Sequence, residues 1–160
     1  MLVKPIDISV VVPVCNGCES LRELEQWIDR VMKANKFSYQ LILIDDGSSD
    51  ESWEVIEQLI EKNDSVSGLR FRRNYGKSAA LYCGFEAAEG EVVFTMDADL
   101  QDPPGLLPEM VRSIEEEGYD SIATRRVTRK GEPPIRSFFA RCFYIIFSKL
   151  FSQLCYKSLF

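Results

Sequence analysis

Short apolar runs alternate along this chain with longer segments of helical periodicity, and that alternation restricts the fold more than any other feature. Ile6 to Val14 is a β-branched run broken at Pro13 and reads as a buried first strand. Leu21, Leu24, Ile28 and Val31 then recur at helical spacing, with charges between them. Leu41 to Ile44 reads as a second strand that ends in Asp45-Asp46-Gly47-Ser48-Ser49-Asp50. Ser48 and Glu51 have the spacing of a capping box before a helix carrying Val55, Ile56, Leu59 and Ile60. A short strand from about Gly68 to Phe71 leads into Arg72-Arg73-Asn74-Tyr75-Gly76-Lys77. The helix after it carries Ala79, Ala80, Gly84, Ala87 and Ala88, small enough to lie close to a sheet. Val92 to Met96 is a further strand, 104–117 a helix, and 121–124 a last short strand ending at Arg125. The pattern predicts an α/β fold, a mainly parallel sheet flanked by helices.

In open sheets of this kind, ligands sit beyond the carboxyl ends of the strands. Those ends carry Pro13-Val14-Cys15-Asn16, Asp45-Asp46, Arg73-Asn74, Asp97-Ala98-Asp99 and Arg125, so polar residues collect on one edge. Asp97 and Asp99 are two apart, and in an extended segment such residues face the same side. Gln101 continues that series with a neutral oxygen. Mg²⁺ or Mn²⁺ favours one or two carboxylates completed by substrate phosphates. The plainer reading, a turn rich in Asp and Pro after a strand, also fits these residues. No G-x-G-x-x-G follows the first strand and no P-loop occurs, which disfavours a dinucleotide dehydrogenase or a P-loop kinase.

The 160 residues suffice for one domain with a real core. No run is apolar enough for a membrane span and no signal peptide is evident, which points to the cytoplasmic side. The net charge of −6 is uneven: residues 125–160 carry eight Lys/Arg and one acid, leaving −13 on the rest. That basic tail suits an anionic surface such as phosphates, lipid head groups or nucleic acid, or equally the acidic body of the domain. Eight aromatics fall after Ile135, around a narrow polar stripe of Ser137, Arg141, Ser148 and Ser152. A C-terminal amphipathic helix at a membrane interface is one expectation, and packing on the domain or on a second copy (a homo-oligomer) is the other. The five cysteines are odd in number and do not suggest a disulfide framework. Cys15-Asn16-Gly17-Cys18 matches C-x-x-C, but the absence of histidine leaves a structural zinc site short of ligands, and a redox pair is a minor reading.

Val-Pro-Val-x-Asn near the start, Ile-Asp-Asp-Gly-Ser-Ser-Asp, Arg-Asn-Tyr-Gly-Lys and Met-Asp-Ala-Asp-Leu-Gln-Asp-Pro-Pro together resemble glycosyltransferase family 2, over about residues 6–147. Within it they look like the polyprenyl-phosphate branch, which includes dolichol-phosphate mannose synthases. The resemblance implies a GT-A (Rossmann-like) fold and transfer of a hexose from a UDP- or GDP-sugar to a polyprenyl phosphate, with Mg²⁺ or Mn²⁺. It implies that Pro13, Val14, Asn16 and Asp46 hold base and ribose, with Asp45 supporting that turn. It places Asp97, Ala98, Asp99 and Gln101 at metal, diphosphate and sugar, with Asp97, Asp99 and Gln101 as the metal set. Arg125 matches an arginine that contacts the phosphates, Arg136 a second basic donor or acceptor contact and Lys77 a substrate contact, with Asp97, Asp99 and Arg125 at the catalytic positions. Simple surface charge is the plainer reading of the two arginines. No nucleic acid partner is expected.

The chain departs from that branch at Cys15 and Gly17, where an aromatic and an acidic residue are usual. Members of the family also continue further, so the chain reads as a truncated piece, with a sugar-binding catalytic domain over 1–130 and the basic aromatic tail over 131–160. The expected location is the inner face of the membrane, peripherally, with an anchor possible in a longer form. Two alternatives stand beside the main reading: a family 2 transferase with a sugar hydroxyl as acceptor, and a non-catalytic nucleotide-sugar-binding module.

Overall fold

A computed structural model describes residues 5–124, and all statements of structure refer to these. Of the described residues, those up to Ser121 belong to the first of two units of the chain. The tail beyond Thr124, with Arg125 and Arg136, lies outside the described residues. In the first unit the order is β1 (Ile8–Val14), α1 (Leu21–Asn35), β2 (Tyr39–Asp45), α2 (Ser52–Lys62), β3 (Val66–Arg70), α3 (Lys77–Glu86), β4 (Val92–Thr95), a single 3₁₀ turn (Pro104–Leu106) and α4 (Leu107–Glu117).

The four strands form one sheet in the order β3-β2-β1-β4, with every pair parallel. The first strand is therefore central, and its residues Ile8 to Val12 are completely buried. That explains a β-branched run without polar alternation: both faces of the strand are covered. Val10, Val12, Leu41 and Leu43 point to one face, where they meet Leu24, Ile28 and Met32 of α1, Ile56 and Leu59 of α2, and Val111 of α4. Val11, Ile42 and Ile44 point to the other face and meet Ala80 of α3. α3 lies close because Gly84 lacks a side chain; a Cβ there would come within 2.3 Å of Val11 Cγ1.

Three local expectations change. Met32, not Val31, completes the buried stripe of α1, because a spacing of four from Ile28 keeps a side chain on the inward face. The Ser48–Glu51 capping box does not form. Asp50 takes its place: its Oδ1 accepts the Ser52 N–H at 3.1 Å and the Ser52 hydroxyl at 2.5 Å, while Ser48 is turned to the first loop. Residues 121–124 form no strand; three of the four are exposed, too little apolar surface to seat them in a sheet.

Candidate active site at the carboxyl edge of the sheet

The loops after β1, β2, β3 and β4 converge on a cavity of about 460 Å³, within the roughly 300–1,000 Å³ usual for small-molecule sites. Pro13, Val14, Asn16, Asp46, Lys77, Asp97, Ala98 and Asp99 all line it. Parallel strands bring these ends together although up to eighty-six positions separate them in sequence.

Asn16 adopts a left-handed backbone, φ 55°, a conformation asparagine tolerates well. Its N–H donates to Ser48 Oγ at 2.9 Å, and its Oδ1 accepts the Ser49 N–H at 2.9 Å. The first loop is thereby stitched to the Asp-Asp-Gly-Ser-Ser turn. Gly17 and Cys18 extend the seam, donating their N–H groups to Ser52 Oγ and Asp50 Oδ2.

The neighbouring acids Asp45 and Asp46 do different work. Asp45 is completely buried and does not line the cavity, so it is not a direct ligand contact. Its Oδ1 accepts the Ser48 N–H at 2.9 Å, and its Oδ2 has the Arg70 guanidinium at 3.6 Å without a hydrogen bond. The Ser48 hydrogen bond braces the turn that follows β2. Asp46 does line the cavity, yet it is only 3% exposed. Its two oxygens accept the N–H groups of Tyr75 at 2.7 Å and Gly76 at 2.9 Å. One carboxylate thus fixes the loop that delivers Lys77.

Asp97 and Asp99 face the same cavity, though not by strand alternation. β4 ends at Thr95, residues 98–99 form a turn, and Leu100 is left-handed at φ 60°. The turn breaks the period of two, so Gln101 is exposed and does not line the cavity. Its backbone N–H instead donates to Asp99 Oδ1 at 3.0 Å. Asp97 is paired with the Lys77 ammonium.

Among the described residues, no group of three or more His, Cys, Asp or Glu forms a ready metal cage. Two hard carboxylates on one cavity nonetheless fit a divalent cation whose remaining ligands are phosphate oxygens and water. Asp97 and Asp99 are the residues that could hold it. Gln101 stands outside the cavity lining.

Cys15, Gly17, Ser20, Asn74 and Gly76 also line the cavity. Asn74 was legible in the Arg-Asn-Tyr-Gly-Lys motif, and its amide donates to Cys15 Sγ at 3.4 Å. Ser20 carried no signal: only the turn of the chain into α1 brings it in. The thiol of Cys18 is pushed above its ordinary range, chiefly by its hydrogen bond to the Asp50 carboxylate. Asp50 itself is brought down to about 2: partial desolvation opposes its ionisation, and hydrogen bonds from Ser52 and Cys18 outweigh that.

A parallel α/β sheet with a carboxylate-lined cavity at its carboxyl edge defines a Rossmann-like ligand-binding domain, here of the GT-A kind. The sequence model of glycosyl transferase family 2 matches residues 9–157, and the chain belongs to that family. It is 44% identical over 124 residues to the undecaprenyl-phosphate 4-deoxy-4-formamido-L-arabinose transferase of Proteus mirabilis, covering 77% of this chain and 38% of the relative. An uncharacterised glycosyltransferase of Synechocystis sp. is 34% identical over 145 residues, covering 91% of this chain and 45% of the relative. The chain thus spans less than half the length of these curated relatives. In structure it resembles a mannosyltransferase from Pyrobaculum calidifontis in complex with GDP-Man and Mn²⁺ (TM-score 0.61, 18% identity, 77% of this chain and 36% of that one). TarS of S. aureus in complex with UDP is similar (TM-score 0.60, 22% identity, 80% and 38%).

Proposed function

We propose that this domain binds the nucleotide-diphosphate sugar of a transferase that moves the sugar to a polyprenyl phosphate. The observation that carries this reading is the convergence of Asp97, Asp99, Lys77 and Asp46 on one cavity. The undecaprenyl phosphate in the name of the Proteus relative favours a lipid phosphate over a sugar hydroxyl as acceptor. The sugar named there is an L-arabinose derivative, a pentose, so the hexose implied by the sequence motifs is one of two ring sizes to test.

The residues divide the work as follows. Pro13, Val14 and Asn16 form the wall for base and ribose, and Asp46 closes its floor while anchoring the loop of Lys77. Asp97 and Asp99 would hold Mn²⁺ or Mg²⁺, the former being present in the Pyrobaculum mannosyltransferase complex. Such a cation supplies charge stabilisation to the leaving diphosphate. Lys77, and Arg125 and Arg136 from the sequence motifs, add positive charge to the same group. The acceptor phosphate is already an anion and needs less help from a general base than a hydroxyl would. No helix among the described residues is long and apolar enough to cross a membrane. The basic aromatic stretch 131–160 supplies the contact with anionic lipid, at the cytoplasmic face.

Calorimetric titration of UDP, GDP and their hexose and pentose conjugates, with Mn²⁺ or Mg²⁺ and then with chelator, tests the reading. Metal-dependent binding of one nucleotide class is the expected result, followed by transfer to a short polyprenyl phosphate. Nucleotide binding indifferent to chelator would refute the metal assignment. Binding without transfer in a full-length protein would leave only a binding module.

A further inference from the structure

Lys77 is the first residue of α3, and its ammonium is paired with Asp97 Oδ1, on one of the two carboxylates assigned to the metal. Neither side chain is sequestered: Lys77 is 59% and Asp97 48% exposed, so the pair can part without a buried charge being stranded. The position of Lys77 is nevertheless set. Asp46 holds the two preceding N–H groups, and Gly76, at φ 93°, turns the chain from that anchor into the helix. A tethered cation is therefore delivered to Asp97 by a loop fixed on a third carboxylate.

Building on the donor-site reading above, we propose that Lys77 is a built-in counter-cation that keeps a divalent ion off Asp97 until a diphosphate arrives. Asp97, Asp99 and Lys77 together carry one net negative charge. A divalent ion entering alone must displace the ammonium or sit beside it, and like charges at that distance repel. A diphosphate brings the negative charge that resolves the conflict. Lys77 transfers its ammonium from Asp97 to the diphosphate oxygens, and both carboxylates are freed for the metal. Metal and nucleotide then bind with positive coupling, and by linkage each tightens the other by the same factor. No bond is made or broken in this exchange.

The test is Mn²⁺ binding followed by electron paramagnetic resonance, for wild type and for Lys77→Met, Lys77→Arg and Arg73→Met. Arg73 lies over the Tyr75 ring at 5.0 Å, so Arg73→Met controls for the loss of any nearby positive charge. A partly exposed ion pair is worth up to a factor of roughly five in affinity. Lys77→Met should therefore bind Mn²⁺ alone up to about fivefold more tightly, and the factor by which UDP or GDP enhances Mn²⁺ binding should fall. Lys77→Arg and Arg73→Met should behave as wild type. If Lys77→Met binds Mn²⁺ alone no better than wild type, or Arg73→Met gains as much, the counter-cation is overturned while the donor site stands. If no protein binds Mn²⁺ with or without either nucleotide, the donor-site reading fails and this proposal with it.

Discussion

The Gly76 N–H donates to Asp46 Oδ2 at 2.9 Å, across thirty positions of sequence, and this bond joins the end of β2 to the start of α3. The other Asp46 oxygen takes the Tyr75 N–H, so each oxygen of the carboxylate holds one backbone donor. Asp46 is accordingly a hub of the site as well as part of its wall.

Asp46→Ala should release that loop. Losing the acceptor for these N–H groups costs about 1–3 kcal/mol of stability, and nucleotide affinity should fall in parallel. Urea denaturation beside calorimetry checks both. A variant that keeps its stability and loses only affinity would make Asp46 a ligand contact rather than an anchor.

Asp99→Asn removes one of the two anionic oxygens sets on the cavity while keeping shape. Asp99 is exposed, so the fold should be unaffected. Thermal unfolding should match wild type, whereas nucleotide binding should lose its response to Mn²⁺. Affinity that still responds to Mn²⁺ as before would remove Asp99 from the metal set.

Gly84→Ala places a methyl 2.3 Å from Val11 Cγ1 and 3.0 Å from Ile44 Cδ1. Overpacking of this kind costs about 1–3 kcal/mol, against a helix-propensity gain of about 1 kcal/mol from losing glycine. The urea midpoint should move down. An unchanged or raised midpoint would mean that α3 is free to lift from the sheet.

The acid limb of stability should involve Asp50. Its folded value of about 2 lies below its ordinary 3.8, so the unfolded chain binds the proton first as pH falls. The contribution is complete above the ordinary value and drains away as pH drops through that range to the folded one. Asp50→Ala should be less stable near neutrality and lose less between about pH 5 and pH 2. Parallel acid limbs for variant and wild type would assign the loss to other carboxylates.

Much of this architecture was legible in the chain. Apolar runs located each of the four strands and helical periodicity the helices between them, because a strand covered on both faces is mostly apolar and a one-sided helix must alternate. The clustering of Asp, Asn and Arg at strand ends foretold the edge where the cavity opens. Helix caps were less legible: Ser48 and Asp50 both had suitable chemistry, and only the approach of the first loop drew Ser48 away.

What the sequence determined by itself, then, is which segments are buried and which carboxylates stand at their ends, since both follow from local polarity along the chain. Family membership was likewise readable from its motifs. Tertiary structure decided how those end residues share the work. The same Asp-Asp pair is split into a buried turn support and a loop anchor because β2 ends between the two. Asp97 and Asp99 share the cavity across the turn at 98–99, and Gln101, after the left-handed Leu100, lies outside its lining. Lys77 meets Asp97 at the end of a loop whose N–H groups Asp46 holds. Such assignments depend on hydrogen bonds between distant segments, and local polarity cannot specify those.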